Sequence, residues 1–341
     1  MTDEPHKVTS VDVARLAGVS QSAVSRVFTS GASASKKTKD KVLKAATTLG
    51  YRPNVLARAM ITGRSRIIGL VVAYLENQFY PLALERLSNA LQAKGYHILI
   101  FTAPNSAEDV EAVIQDLMAY QIDALIAASV SITSELAEQV RKAGIPVVLF
   151  NRGQDGVGVS SVTSANLAGG RKVARFLLEG GHERIGHIAG WQGSSTGRDR
   201  QSGFLAEMNA AGRTPFSVMD GMYSRDEAMA CAEKMLAGPV IPDAIFVGND
   251  HMAFGVMDVV RAHGLVPGHS ISVVGYDDVP LAEWGGYHLT TIRQPVNRMV
   301  ESTVNLMLRM IEDADAMPEH IEVEGPLIVR SSARIPEGWT K

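Results

Sequence analysis

The polar and apolar positions change rhythm near residue 66. Before it, apolar residues recur at helical spacing in three short stretches. Thr9-Ser-Val-Asp12 has the spacing of a capping box, and Val13, Leu16 and Ala17 follow it on the predicted inward side. Gly18 supplies the left-handed residue that a tight turn needs. Ser20 starts a second helix, QSAVSRVF, with Val24 and Val27 inward, and Ser35 starts a third, Lys36 to Leu49, stopped by Gly50. After residue 66, continuous apolar runs alternate with amphipathic helical patterns: IIGLVV (67–72), HILIFT (97–102), ALIAAS (124–129) and PVVLF (146–150). A second series follows: RIGHIAG (184–190), AIFVGND (244–250) and ISVVGYD (271–277). Such runs predict parallel strands covered on both faces by helices, and two series predict two doubly wound α/β subdomains behind an all-α head.

Composition narrows the class. The 341 residues, 46% hydrophobic and 20% charged, suffice for more than one domain with a sizeable core. The single cysteine, Cys231, excludes an internal disulfide and a thiolate zinc cluster, which favours a reducing, cytoplasmic setting. No signal-peptide or membrane-spanning run of apolar residues is present. The net charge of −3 conceals an asymmetry: residues 1–63 hold ten Lys/Arg against four acids, a +6 head on a −9 body. On charge alone the head fits either a polyanion-binding module or a solvated lysine-rich face.

The segment Val11 to Phe28 separates these two readings. Two short helices crossing steeply need a small residue at the contact (Ala14), a turn glycine (Gly18) and an apolar plug (Val24), as in a helix-turn-helix. The outer face of the second helix then presents Gln21, Ser22, Ser25 and Arg26, side chains that hydrogen-bond base edges in a major groove.

VTSVDVARLAGVSQSAVSRVF and TKDKVLKAATTLGYRPNVLARAM, followed in order by VVLFNRG, GHERIGHIAG, STGRDRQSGF, IFVGNDHMAFG, ISVVGYDD and LTTIRQP, resemble the lactose-repressor (LacI/GalR) family of bacterial transcription regulators over nearly the whole chain. The resemblance implies a helix-turn-helix head (1–50), a hinge helix and linker (51–65), and a periplasmic-binding-protein-like core (66–341). The core divides into an N-subdomain (about 66–163 and 295–325) and a C-subdomain (about 164–294 and 326–341). Gln21, Ser22, Ser25 and Arg26 are then the expected base-reading residues, and Thr9, Ser20, Ser35, Thr38 and Asn54 the phosphate contacts. Ala57 and Met60 match the hinge that enters the minor groove; Met60 stands where the family carries a wedging leucine. Phe79, Tyr80, Asn151, Arg198, Tyr223, Asn249 and Asp277 are the expected effector contacts, with Trp191 and Trp284 weaker candidates. Asn151 replaces a frequent family aspartate.

The implied activity is that of a dimeric repressor on near-palindromic double-stranded operator DNA, released by a mono- or disaccharide or sugar derivative, with no other cofactor. A purine or another metabolite acting as corepressor is the alternative effector, and a small-molecule binding protein without a DNA role is the alternative class. The absence of leucine heptads in the last residues favours a homodimer over a tetramer.

Enzyme signals are weak. Gly193-Ser-Ser195-Thr-Gly197 fits G-x-S-x-G, but three residues separate it from the preceding strand, where a nucleophile elbow would lie. Asp277 and Asp278 leave a strand on opposite sides, which argues against a shared metal or proton.

Overall fold

The computed structural model describes residues 8–28, 32–52, 64–73, 75–103, 107–154, 158–313 and 315–339. The expected hinge residues Asn54, Ala57 and Met60 lie outside them. The chain divides into two compact units, Met1–Ser65 and Arg66–Lys341.

The described residues of the first unit form three helices: α1 (Ser10–Ala17), α2 (Gln21–Phe28) and α3 (Lys36–Leu49). Their ends follow the local chemistry. The Thr9 hydroxyl accepts the Asp12 N–H while the Asp12 carboxylate accepts the Thr9 N–H, a reciprocal cap. Gly18 and Gly50 close α1 and α3 at φ 64° and 65°, the left-handed region that favours glycine. The core is small: Val13, Ala14, Ala17, Val24, Val42, Ala45 and Ala46. Leu16, expected inward, is 53% exposed. The buried stripe of α1 runs through Val13, Ala14 and Ala17, and Leu16 falls roughly 100° away from its centre.

The second unit is built of two sheets. β1 (Ile67–Val72), α4 (Phe79–Ala93), β2 (His97–Thr102), α5 (Ala107–Met118), β3 (Ala124–Ala128), α6 (Ser134–Lys142), β4 (Val147–Phe150) and β5 (Ser160–Ser164) form most of the first lobe. The chain then enters the second lobe through α7 (Asn166–Glu179), β6 (Ile185–Ala189), α8 (Ser195–Ala210), β7 (Ser217–Asp220), α9 (Arg225–Leu236), β8 (Ala244–Val247), α10 (Asp250–Ala262), β9 (Ser272–Asp277) and β10 (Thr290–Arg293). It returns with α11 (Val296–Glu312) and β11 (His320–Val323), and crosses back to β12 (Leu327–Ile328). The first sheet has the order β11-β5-β4-β3-β1-β2 and is wholly parallel. The second, β12-β10-β9-β8-β6-β7, is parallel except for the β10–β12 pair. Three chain passages therefore join the lobes. The core is an α/β fold of doubly wound parallel sheets, as the two series of apolar runs predict.

β5 carries no apolar run. Its sequence, SSVTS, is buried throughout because its hydroxyls find tertiary partners. Ser161 Oγ pairs with His320 Nδ1 at 2.9 Å, Ser164 Oγ with Tyr276 Oη at 3.2 Å, and Ser160 Oγ accepts the Glu319 N–H.

Candidate functional site: a reading helix and a ligand cleft

On α2, Val24 is fully buried while Gln21, Ser22, Ser25 and Arg26 lie on the exposed face. Helical spacing fixes this division, since residues 21, 22, 25 and 26 repeat at i, i+1, i+4 and i+5 opposite Val24. Local bonds orient the face: Gln21 Nε2 donates to Ser10 Oγ at 3.1 Å, Ser22 Oγ pairs with Ser20 Oγ at 2.9 Å, and Arg26 Nε donates to the Ser22 carbonyl. Thr9, Ser20 and Ser35 cap the three helices, and Thr38 Oγ1 pairs with Ser35 Oγ. Each hydroxyl thus sits beside the free N–H groups of a helix start, where a phosphate is favoured.

In the core, a cleft open to solvent lies between the lobes, with about 470 Å³ of empty space including its solvent-facing part. Of the residues expected there, Tyr80, Asn151, Tyr223, Asn249 and Asp277 line it. They sit at the carboxyl ends of strands or the starts of helices, where a ligand site in an open α/β sheet forms. Ser129 after β3, Asn151 after β4, Tyr223 after β7 and Asp277 ending β9 all have positive φ, from 55° to 131°. Non-glycine residues held there store strain that a functional cleft tolerates.

Arg198 and Phe79 do not line the cavity. Arg198 is exposed and donates to the Gln192 carbonyl at 3.1 Å. The arginine facing the cleft is Arg200, 3% exposed. Two residues along a helix turn the side chain by about 200°, so the two arginines of STGRDRQ take opposite faces. Phe79 is 2% exposed and stacks on Phe150 at 6.3 Å, one helix position from Tyr80 and turned away from the ligand space. Trp191 faces the Arg152 guanidinium and Trp284 is exposed. Sequence reasoning also missed Glu76, Asn77, Ser129, Thr196 and His251 in the lining; the helix-face arithmetic on α8 was the one available signal, and it pointed to Arg200.

The cavity floor is a polar network. Arg200 pairs with Asp277 at 3.5 Å, donates through Nε to Asn166 Oδ1 and through its Nη1 to the Gly248 carbonyl, and its guanidinium lies 3.7 Å from the Tyr276 ring centroid. Gln294 and Asn77 donate to Asp277 at 2.7 and 2.9 Å. Burial, with the nearby Asp277 carboxylate, pushes Asp250 up to about 8, and burial raises Asp277 as well, against the lowering by Arg200, Asn77 and Gln294. Burial likewise raises the Tyr80 phenol. Asn151 Nδ2 donates to Tyr80 Oη, while its Oδ1 is buried without a partner among the described residues. Asp278 turns the other way, to Arg293 and Arg330, so the Asp277-Asp278 pair shares neither a partner nor a metal geometry.

The serine motif is structural. Ser194 Oγ caps α8 by accepting the Gly197 N–H, and Ser195 Oγ accepts the Gly153 N–H of the other lobe at 2.9 Å. No described helix is long and apolar enough to cross a membrane.

A helix-turn-helix with an exposed second-helix face and a two-lobed core with a cleft are the parts a ligand-responsive DNA-binding regulator uses. Residues 10–54 match the family model for bacterial regulatory proteins of the lacI family, and residues 174–333 that for a periplasmic binding protein-like domain. The transcriptional repressor PurR of Vibrio vulnificus is 30% identical over 326 residues, 95% of this chain and 98% of that protein; PurR of Pasteurella multocida is 27% identical over the same shares. Among solved structures, the Lac repressor dimer bound to operator and the anti-inducer ONPF superposes with a TM-score of 0.86 at 26% identity, covering 95% of this chain and 98% of that one. The cellobiose complex of the regulator CelR gives 0.72 at 30% identity, covering 96% and 100%. The chain belongs to the LacI family.

Proposed function

We propose that the protein represses transcription by binding a near-palindromic operator as a homodimer, and that a sugar-type effector in the cleft releases it. Gln21, Ser22, Ser25 and Arg26 read bases, with Arg26 suited to a bidentate contact to guanine. Thr9, Ser20, Ser35, Thr38 and Asn54 hold phosphates and set register. Ala57 and Met60 insert into the minor groove at the operator centre. The similarity to the Lac repressor dimer supports the homodimer.

The observation that carries the effector reading is the convergence of Asn151, Arg200, Asn249 and Asp277 around one small cavity. Neighbouring ring hydroxyls both donate and accept, and this set supplies both roles within a single monosaccharide's reach. Tyr80 and Tyr223 offer apolar faces to a sugar ring.

The lobes already touch across the cleft, through Asn77 to Asp277 and Gly153 to Ser195. A ligand that favours one lobe arrangement over the other shifts the equilibrium by that difference in affinity, and the hinge segment passes it to the head.

The names of the PurR relatives favour a second reading, in which a purine fills the same cavity as corepressor. One experiment separates the two. The chain is screened by thermal shift against monosaccharides, disaccharides and purine bases, and each hit is tested in a gel shift with the promoter of its own gene. A sugar that raises the melting temperature and releases DNA supports the first reading. A purine that tightens DNA binding replaces it. No preference for any promoter fragment over random duplex defeats both.

A further inference from the structure

We propose that the effector is an amino sugar bound as its ammonium ion, and that Glu76 is the residue that selects its charge. This rests on the sugar reading above and narrows it to one class. The side chains lining the cleft include two carboxylates, Glu76 and Asp277, and one guanidinium, Arg200. An anionic ligand needs a cation that is free to pair with it, and a cationic ligand needs a carboxylate in the same condition.

The cations are committed elsewhere. Arg200 pairs with Asp277 and donates to Asn166 Oδ1 and the Gly248 carbonyl. Burial lowers the His251 imidazole, so this lining residue adds no positive charge at neutral pH. Arg152 stands behind the lining and donates to Ser129 and Ser131, and Arg225, whose charge reaches His251, is bridged to Asp258. The helix starts at the cleft already carry side-chain caps. Asn77 Oδ1 accepts the Phe79 N–H of α4, Ser194 Oγ the Gly197 N–H of α8, and Asn249 Oδ1 the Met252 N–H of α10. A phosphate or carboxylate would enter without a free counter-charge, against two carboxylates and a chain that carries −9 outside residues 1–63.

The two carboxylates differ. Asp277 is offset by Arg200 and accepts from Gln294 and Asn77. Glu76 is exposed and makes no hydrogen bond or salt bridge among the described residues. Its place at the cleft is nevertheless fixed. The next residue, Asn77, donates to Asp277 of the other lobe at 2.9 Å and caps α4 through its other amide atom, which pins the loop after β1. From the opposite lobe, His251 on α10 feels the charges of both Glu76 and Asp277. An ammonium group beside Glu76 gains a charge-assisted hydrogen bond that a hydroxyl in the same place does not. The ring hydroxyls of the same ligand remain for Asn151, Asn249 and Asp277.

The test titrates the full chain at neutral pH and low salt with three kinds of probe, followed by ligand-observed NMR. They are D-glucosamine and D-galactosamine, the two parent hexoses, and the two hexose 6-phosphates. At least one amine is expected to saturate and to bind about fivefold tighter than its parent, the upper range for a pair that water still reaches, and its 6-phosphate is expected not to saturate. Salt at about 1 M is expected to remove most of that preference by screening. Glu76→Gln is expected to bring amine and parent together, and Glu76→Asp to recover part of the difference. Glu85→Gln, which removes an exposed acid of α4 outside the cleft lining, is expected to leave the ratio as it is. A parent hexose that binds as tightly as its amine, a 6-phosphate that binds more tightly than either, or a preference that survives Glu76→Gln overturns the inference and leaves the sugar reading standing. Failure of both amines to saturate overturns it whatever the other probes do. A purine bound in place of every sugar overturns the sugar reading with it.

Discussion

The head and the cleft carry their functional side chains in opposite ways. In the head, the candidate base readers stand on the exposed face of α2, and the small core of valines and alanines beneath does not depend on them. In the cleft, Asp277 and Arg200 at once line the cavity and belong to a buried network. An exposed reader can change with little effect on folding, so operator specificity is free to diverge. A buried reader cannot change alone, because its partner is left charged and desolvated.

Substitutions test this contrast. Asp277→Ala has the largest expected effect: removing one partner of a buried ion pair costs about 3–5 kcal/mol. Urea unfolding should show that loss together with the loss of any effector response. A stable variant that merely stops responding would mean the network is not structural. Arg26→Ala should weaken operator binding by about 1–3 kcal/mol in a gel shift, with melting temperature and effector binding unmoved. A matching fall in stability would erase the distinction between the two regions.

Acid provides the next test. Burial pushes the His187 imidazole, stacked on Phe246 and tilted against Phe204, down to about 4, and it lowers His182 and His251 as well. The unfolded chain takes up these protons near pH 6.5, before the folded chain does. These histidines therefore destabilise the fold as pH drops from 6.5 towards 4, while Asp250, raised to about 8, acts in the opposite sense over the same range, so the histidine contribution is read as the difference between the chain and its His187→Phe variant. The head has no described histidine, so its α-helical signal should outlast the core's cooperative transition. A urea midpoint for the core with the same pH dependence over this range in the chain and in His187→Phe would contradict the assignment.

The smallest expected effect is that of Arg198→Ala, within about 0.5 kcal/mol on stability and without change in effector response. Arg200→Ala should remove the response altogether. Equal effects would restore Arg198 to the cleft.

The elements of both regions were legible in the residues. The Thr9/Asp12 cap, the two turn glycines and the long apolar runs express local backbone and burial preferences that neighbouring residues settle. The helix-turn-helix face followed, because helical period alone divides Val24 from Gln21, Ser22, Ser25 and Arg26. The cleft was legible only in part. Motif order pointed to Asn151, Asn249 and Asp277, but the choice between Arg198 and Arg200, and between Phe79 and Tyr80, depends on which helix face meets the other lobe.

Sequence by itself therefore determined the all-α head, the doubly wound core and the family, since periodicity and caps are short-range. Tertiary structure decided what completes each polar group. SSVTS is a buried strand because His320, Tyr276 and Glu319 reach it from far along the chain. Asp277 is a cleft residue because Asn77, Arg200 and Gln294 converge on it from three separate segments. A buried polar atom has to be paired wherever its partner lies in sequence, and only the folded chain shows where that is.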